Sequence, residues 1–126
     1  MEPEINKPGT KGAAHILAAF GYSMQGLKAA LKYEEAFRLE VLALVILLPL
    51  AIWLGQSATE MALLLGSLFL VLLVELLNSS IETVVDRIGT EHHELSGRAK
   101  DLGSAAVFIS QMNVVVIWGL FFYQRF

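Results

Sequence analysis

Val74-Glu75-Leu76-Leu77-Asn78-Ser79-Ser80-Ile81-Glu82-Thr83-Val84-Val85-Asp86-Arg87 continues an apolar run, Met61–Val74, that contains no charged residue. If the run stays helical at about 100° per residue, Glu75, Glu82 and Asp86 fall within about 40° of one another, with Asn78 and Ser79 beside them. Leu76, Leu77, Ile81, Val84 and Val85 extend the apolar character on the opposite side. A membrane-type helix therefore gains an acidic face at one end. A charge near the bilayer centre costs about 2.5–3.5 kcal/mol on insertion scales, so such a face marks a site or a pathway.

Two further stretches have the length of membrane spans. Nineteen uncharged residues separate Glu40 from Glu60, and twenty-three separate Asp101 from Arg125; about 20 residues cross the hydrocarbon of a bilayer. With 56% hydrophobic residues over 126 positions, the chain is too apolar for an ordinary soluble domain. The expectation is an all-α membrane protein made of one domain over residues 1–126: a flexible tail at 1–9, a surface helix at 10–35, and transmembrane helices at 39–54, 61–86 and 102–123.

The surface helix is read from Ile16, Leu17, Phe20, Met24, Leu27 and Leu31, which recur three and four apart, while Gln25, Lys28 and Lys32 face elsewhere. That pattern lies on a membrane surface rather than crossing it. Thr10 or Ser23 is a candidate helix cap. Pro49 interrupts the first span, which neighbouring helices tolerate in a membrane bundle. Trp53, Trp118, Phe121, Phe122 and Tyr123 are expected in the outer aromatic belt. Ala62 with Gly66, and Ala106 with Ser110, are candidate close-contact surfaces; Gln111 and Asn113 are candidates for hydrogen bonds between helices.

Topology follows the placement of Lys and Arg. Eight of the nine precede the first span or lie between the second and third, leaving Arg125 alone at the other end. The N-terminus and the 87–101 loop are therefore expected in the cytoplasm and the C-terminus outside. The first long apolar run starts near residue 41 and lacks a cleavage pattern, so no cleaved signal is expected. The chain has no cysteine, which excludes thiolate chemistry. Its few, scattered bases argue against a nucleic-acid partner.

Neither G-x-x-x-x-G-K-[ST] nor G-x-G-x-x-G occurs, so any phosphate binding is not of those types. His93-Glu94 lacks a second histidine four residues on, and no Ser/His/Asp arrangement is visible. What remains is a set of carboxylates at the inner interface: Glu34, Glu35, Glu40, Glu75, Glu82, Asp86 and Asp101. Hard oxygen ligands suit Mg²⁺, which takes one or two carboxylates and completes its shell with water and phosphates. Arg98 and Lys100 add positive charge suited to phosphate oxygens. Glu75 falls just inside the inner leaflet and Glu82, about 10 Å further along the helix, in water. One helix face then spans a lipid and an aqueous phase, a geometry suited to phosphorylating a lipid hydroxyl from a soluble donor. The competing reading, structural salt bridges, is favoured for Asp86 beside Arg87; function is favoured for Glu75, which has no base near it in sequence.

The chain resembles the small integral-membrane diacylglycerol kinases of bacteria. The likeness rests on Gly21-Tyr22-Ser23, on Glu34-x-Ala36-Phe37-Arg38-x-Glu40, on Val74-Glu75-x-Leu77-Asn78-Ser79-x-Ile81-Glu82-x-Val84-Val85-Asp86-Arg87-Ile88-Gly89, and on His93-Glu94-Leu95-Ser96-Gly97-Arg98-Ala99-Lys100-Asp101-x-Gly103-Ser104-Ala105-Ala106. The resemblance implies a homotrimer in the bacterial inner membrane that converts diacylglycerol to phosphatidic acid with MgATP. It implies Glu75 as general base, Asn78 as its organiser, and Glu34 and Glu82 as magnesium ligands. Tyr22, Glu34, Glu82, Glu91, His93, Lys100 and Asp101 would serve the nucleotide. Ser23, Phe37, Arg38, Glu40, Glu75 and Ser104 would serve the lipid or support the site. Where the family carries an arginine near the nucleotide, this chain has His15, mostly neutral at pH 7, so contact there is weaker. Register from Ala36-Phe37-Arg38 selects Glu34 over Glu35. A polyprenol kinase is the nearest alternative, since these motifs read metal and phosphate rather than the lipid tail. A small proton- or ion-coupled transporter is the distant one; the absence of acids from 61–74 counts against it.

Overall fold

Polar residues at the joints divide the chain into four helices. The computed structural model, which describes residues 11–126, contains α1 (Gly12–Tyr33), α2 (Glu35–Leu54), α3 (Ala58–Ile88) and α4 (Glu94–Arg125). The tail expected at 1–9 and the cap candidate Thr10 lie outside the described residues. The chain enters α1 through Gly12 at φ +64, a left-handed conformation that a residue without a Cβ adopts freely. Ser23 is not a cap: it lies mid-helix, where its hydroxyl donates to the Ala19 carbonyl at 3.0 Å.

Helices α2, α3 and α4 are each long and apolar enough to cross a membrane. Helix α2, at 20 residues, is about 30 Å long, one hydrocarbon thickness. It continues through Pro49. At 31 and 32 residues, α3 and α4 are about 46 and 48 Å long and overshoot a bilayer, so their polar ends project beyond it.

The 94–101 segment expected in a loop is helical. The His93 side chain accepts from the Leu95 N–H at 3.1 Å as the N-cap of α4, Glu94 occupies the first turn, and Arg98 pairs with Glu94 one turn on at 3.3 Å. A capped start, an acid at the positive end of the helix dipole and an i,i+4 pair all favour helix in a sequence with no apolar run. The link between α3 and α4 shrinks to residues 89–93.

At the opposite end α2 and α3 are joined by a tight turn. Ser57 accepts from the Glu60 N–H at 3.1 Å, and Glu60 accepts from the Gln56 N–H at 2.7 Å. Packing is densest between α3 and α4, then between α2 and α3. Its centre lies toward this end and comprises Ala51, Leu54, Leu64, Leu68 and Trp118.

Trp118 departs from the belt expectation. It is only 6% exposed, and its indole N–H donates to Ser67 Oγ on α3 at 3.2 Å, while Ser67 donates to the Leu64 carbonyl at 2.8 Å. A buried indole needs an acceptor, and Ser67 supplies it. Trp53 does face outward, stacked on Phe126 and overlain by the Arg125 guanidinium. Ala62 and Gly66 are exposed, so their small-residue surface makes no contact within this chain.

Helix α1 touches the bundle mainly through α2 and buries only Ala30. Its stripe of Ile16, Leu17, Phe20, Met24, Leu27 and Leu31 is exposed.

Candidate active site

The site forms where the C-terminus of α1, the start of α2, the polar end of α3 and the start of α4 converge. Glu34 is the joint between α1 and α2: its backbone leaves the helix at φ −112, ψ 105, while its N–H still bonds to the Ala30 carbonyl. Arg38, one turn into α2, reaches back and donates through Nη1 to the Leu31 carbonyl at 3.0 Å and the Lys32 carbonyl at 3.1 Å. These carbonyls have no partner within α1, and a cation at the negative end of the helix dipole is stabilising. Phe37, 2% exposed, anchors the same joint in the core. Within this chain, Phe37 and Arg38 thus hold the α1–α2 corner, and Glu34 with it.

Helix α3 brings up the acidic face. Glu75 is 5% exposed and Asn78 and Ser79 are 8% exposed, whereas Glu82 is half-buried and Asp86 exposed. Burial within the chain thus falls along the face from Glu75 to Asp86. The carboxylates of Glu34 and Glu82 lie close enough to Glu75 to repel it, as Glu75 does Glu40. Glu75 is thus the carboxylate on which Glu34 and Glu82 act, and it acts in turn on Glu40. Glu34 is half-buried and its neighbour Glu35 is exposed. Glu40 on α2 and Gln111 on α4 border one small cleft.

Asn78 joins the cluster through its amide: Nδ2 donates to Glu82 Oε1 at 3.2 Å, while Oδ1 is buried without a hydrogen-bond partner and faces Gly103 on α4. One turn outward, Lys100 pairs with Asp86 at 2.7 Å, tying α4 to α3. Asp86 is thus structural, as expected, but its partner is Lys100 rather than Arg87. Hydrogen bonding to Asp86 holds the Lys100 ammonium above its ordinary value.

Between α1 and α3 lies a mostly apolar cleft of about 740 Å³, lined by Ser23, Leu27, Ala30, Glu34, Leu76, Ser79 and Thr83 among others. A smaller one of about 300 Å³, bordered by Val85, Gly89, Glu91, His93 and Ser96, sits at the α3–α4 link. Glu34 and Ser79 line the first, and Glu91 and His93 the second.

The remaining expected site residues are dispersed. Tyr22 is half-buried on α1, and Ser104 and Asp101 are exposed on α4. His15 is exposed about 28 Å along α1 from Glu34, so a single chain does not bring it to the carboxylates. Among the described residues no three metal-ligating side chains converge; a cation here would take Glu34 and Glu82 and draw further oxygens from water or phosphate, which Mg²⁺ tolerates and a caged Ca²⁺ does not. Gly103 and Ser67 carry roles that periodicity does not reveal. The only sequence sign for Gly103 is its place in the small-residue run Gly103-Ser104-Ala105-Ala106.

Three apolar spans, with buried and half-buried carboxylates toward one end of the bundle, define a polytopic membrane protein. The chain belongs to the prokaryotic diacylglycerol kinase family, whose model matches residues 21–122. A diacylglycerol kinase of Haemophilus influenzae is 55% identical over 115 residues, covering 90% of this chain and 98% of that protein. The Escherichia coli K12 diacylglycerol kinase is 50% identical over 117 residues (93% and 96%), and that of Pseudomonas aeruginosa 48% over 118 residues (94% and 95%).

Proposed function

We propose that this protein phosphorylates the free hydroxyl of diacylglycerol with MgATP, giving phosphatidic acid. The observation that carries the reading is the graded burial along α3: Glu75 enclosed, Glu82 half-open and hydrogen-bonded to Asn78, with Glu34 acting electrostatically on Glu75 from the α1–α2 joint. Glu75 borders the hydrocarbon and takes the proton from the lipid hydroxyl. Glu34 and Glu82 would hold Mg²⁺, which would supply positive charge against that of the transferring phosphoryl group. The α1–α3 cleft, apolar with Ser23 and Glu34 at its rim, suits an acyl-glycerol; the α3–α4 link, with Glu91 and His93, suits the nucleotide. His93 presents Nε2 outward because Nδ1 is engaged as the cap of α4. That each named relative is a diacylglycerol kinase supports this acceptor over a polyprenol.

The assembly read from the sequence belongs to the same proposal. Helix α1 lies on the cytoplasmic face, its exposed apolar stripe in lipid; the N-terminus and the α3–α4 link are cytoplasmic and the C-terminus periplasmic, in the inner membrane. A homotrimer supplies what one chain lacks, since His15 and Tyr22 reach a nucleotide site only from a neighbouring copy.

Glu75→Gln and Glu82→Gln test the division of labour. Glu75→Gln is expected to lower kcat by about 10²–10⁴-fold, the usual contribution of a proton acceptor, with binding of a non-hydrolysable MgATP analogue intact. Glu82→Gln is expected to weaken that binding. Near wild-type kcat in Glu75→Gln would remove the base from this mechanism.

A further inference from the structure

The reading above leaves one question about α3: what keeps the Asn78 amide turned so that its NH₂ rather than its oxygen meets Glu82. The two ends of an amide are nearly equal in size and opposite in hydrogen bonding. Reversed, the amide would set its oxygen against a carboxylate oxygen. The orientation found puts Nδ2 on Glu82 and leaves Oδ1 pointing across the helix contact at Gly103, buried and without a hydrogen-bond donor.

Gly103 is itself buried, and a Cβ built on it would overlap Asn78 Oδ1 and come within 3.3 Å of Asn78 Cγ. The hydrogen that occupies this direction instead lies against Oδ1, a Cα–H···O approach of the sort that close helix pairs use. No other side chain would serve, because any Cβ takes the space of the amide. The feature is local: a Cβ on Gly97 or Gly119 of the same helix would meet nothing within 4 Å. One turn away the Lys100–Asp86 ion pair holds the same two helices together, so α4 has little freedom to retreat from an added methyl.

We propose that Gly103 is a positioning residue for the metal-binding carboxylate Glu82, acting through Asn78: its missing side chain lets α4 close on α3 and locks the amide in the orientation that donates to Glu82. The inference rests on the assignment of Glu82 to MgATP for its functional consequence, and on packing alone for its structural one. Gly103 touches neither substrate nor metal.

The test uses full-length protein in detergent micelles or bilayers. In metal-free protein, the side-chain ¹⁵N–¹H signals of Asn78 report its hydrogen bond directly, and Gly103→Ala is expected to shift them while Gly119→Ala leaves them in place. Binding of the MgATP analogue is expected to weaken about tenfold in Gly103→Ala, the effect of losing one hydrogen bond to a charged group. In an Asn78→Ala background, which removes the colliding amide, adding Gly103→Ala is expected to change binding no further. Unshifted Asn78 signals, or equal weakening in both backgrounds, would overturn the proposal. Should Gly103→Ala fail to fold, the double variant is expected to fold, and its failure to do so would overturn the proposal as well. If instead wild-type protein bound no MgATP analogue, the kinase reading would fall, and the Asn78 signals would still decide the structural claim.

Discussion

Replacing Arg38 by Ala separates two roles for a residue that the family resemblance places at the lipid. In this fold Arg38 Nη1 serves the Leu31 and Lys32 carbonyls at 3.0 and 3.1 Å, both in the last turn of α1. A cation at a helix C-terminus contributes about 0.3–1 kcal/mol at an exposed site, and the charge-assisted bonds add to it, but screening discounts both because the side chain is exposed. The sum is about 1 kcal/mol, equivalent to a roughly fivefold rise in the frayed population of the final turn. Hydrogen–deuterium exchange on the full-length protein should therefore speed up about fivefold at the amides of residues 31–34, with the centre of α1 unchanged. Because Glu34 sits at the end of that turn, the apparent KM for MgATP should rise with it. Arg38→Lys keeps the charge but not the fork, and should recover only part of the loss. If exchange at 31–34 stayed at the wild-type rate while the KM for diacylglycerol rose, Arg38 would be a lipid contact and the capping account would be wrong.

Two further expectations follow from the helix contacts. Ser67→Ala leaves the buried Trp118 indole without its acceptor and should destabilise the protein by about 1–3 kcal/mol; in a double-mutant cycle with Trp118→Phe the coupling should be near 0.6 kcal/mol, the membrane average, and a coupling of zero in reversible unfolding would show that the bond is not stabilising. The Lys100–Asp86 bond raises the lysine above its ordinary value of 10.5, so its contribution to stability is complete below that pH and is lost only as pH climbs through the higher folded value. The difference in unfolding midpoint between wild type and Asp86→Asn should accordingly be flat across neutral pH and close as the medium becomes strongly alkaline. A difference that closed near neutrality would assign the effect to another group.

Periodicity and composition carry a great deal in a membrane chain, because the hydrocarbon phase allows few solutions for the backbone. The three spans and the acidic face of α3 were readable from residue spacing. Helix ends were less legible: Glu94–Asp101 reads as a charged loop, yet capping by His93 and the Glu94–Arg98 pair make it helix, because local hydrogen bonds outweigh the lack of an apolar run.

Tertiary contact decided what spacing leaves degenerate. Trp118 has the composition of a belt residue and the environment of a core residue, because Ser67 stands opposite it. Arg38 and Phe37 fall in a motif associated with the site and act here on the corner that carries Glu34. The NH₂ of Asn78 meets Glu82 and its oxygen faces α4, where Gly103 leaves room for it. A sequence assigns each residue to a face of its own helix through a 100° rotation per residue. What stands across that face depends on how helices distant in sequence approach one another, and a glycine at the crossing sets that approach as much as any side chain.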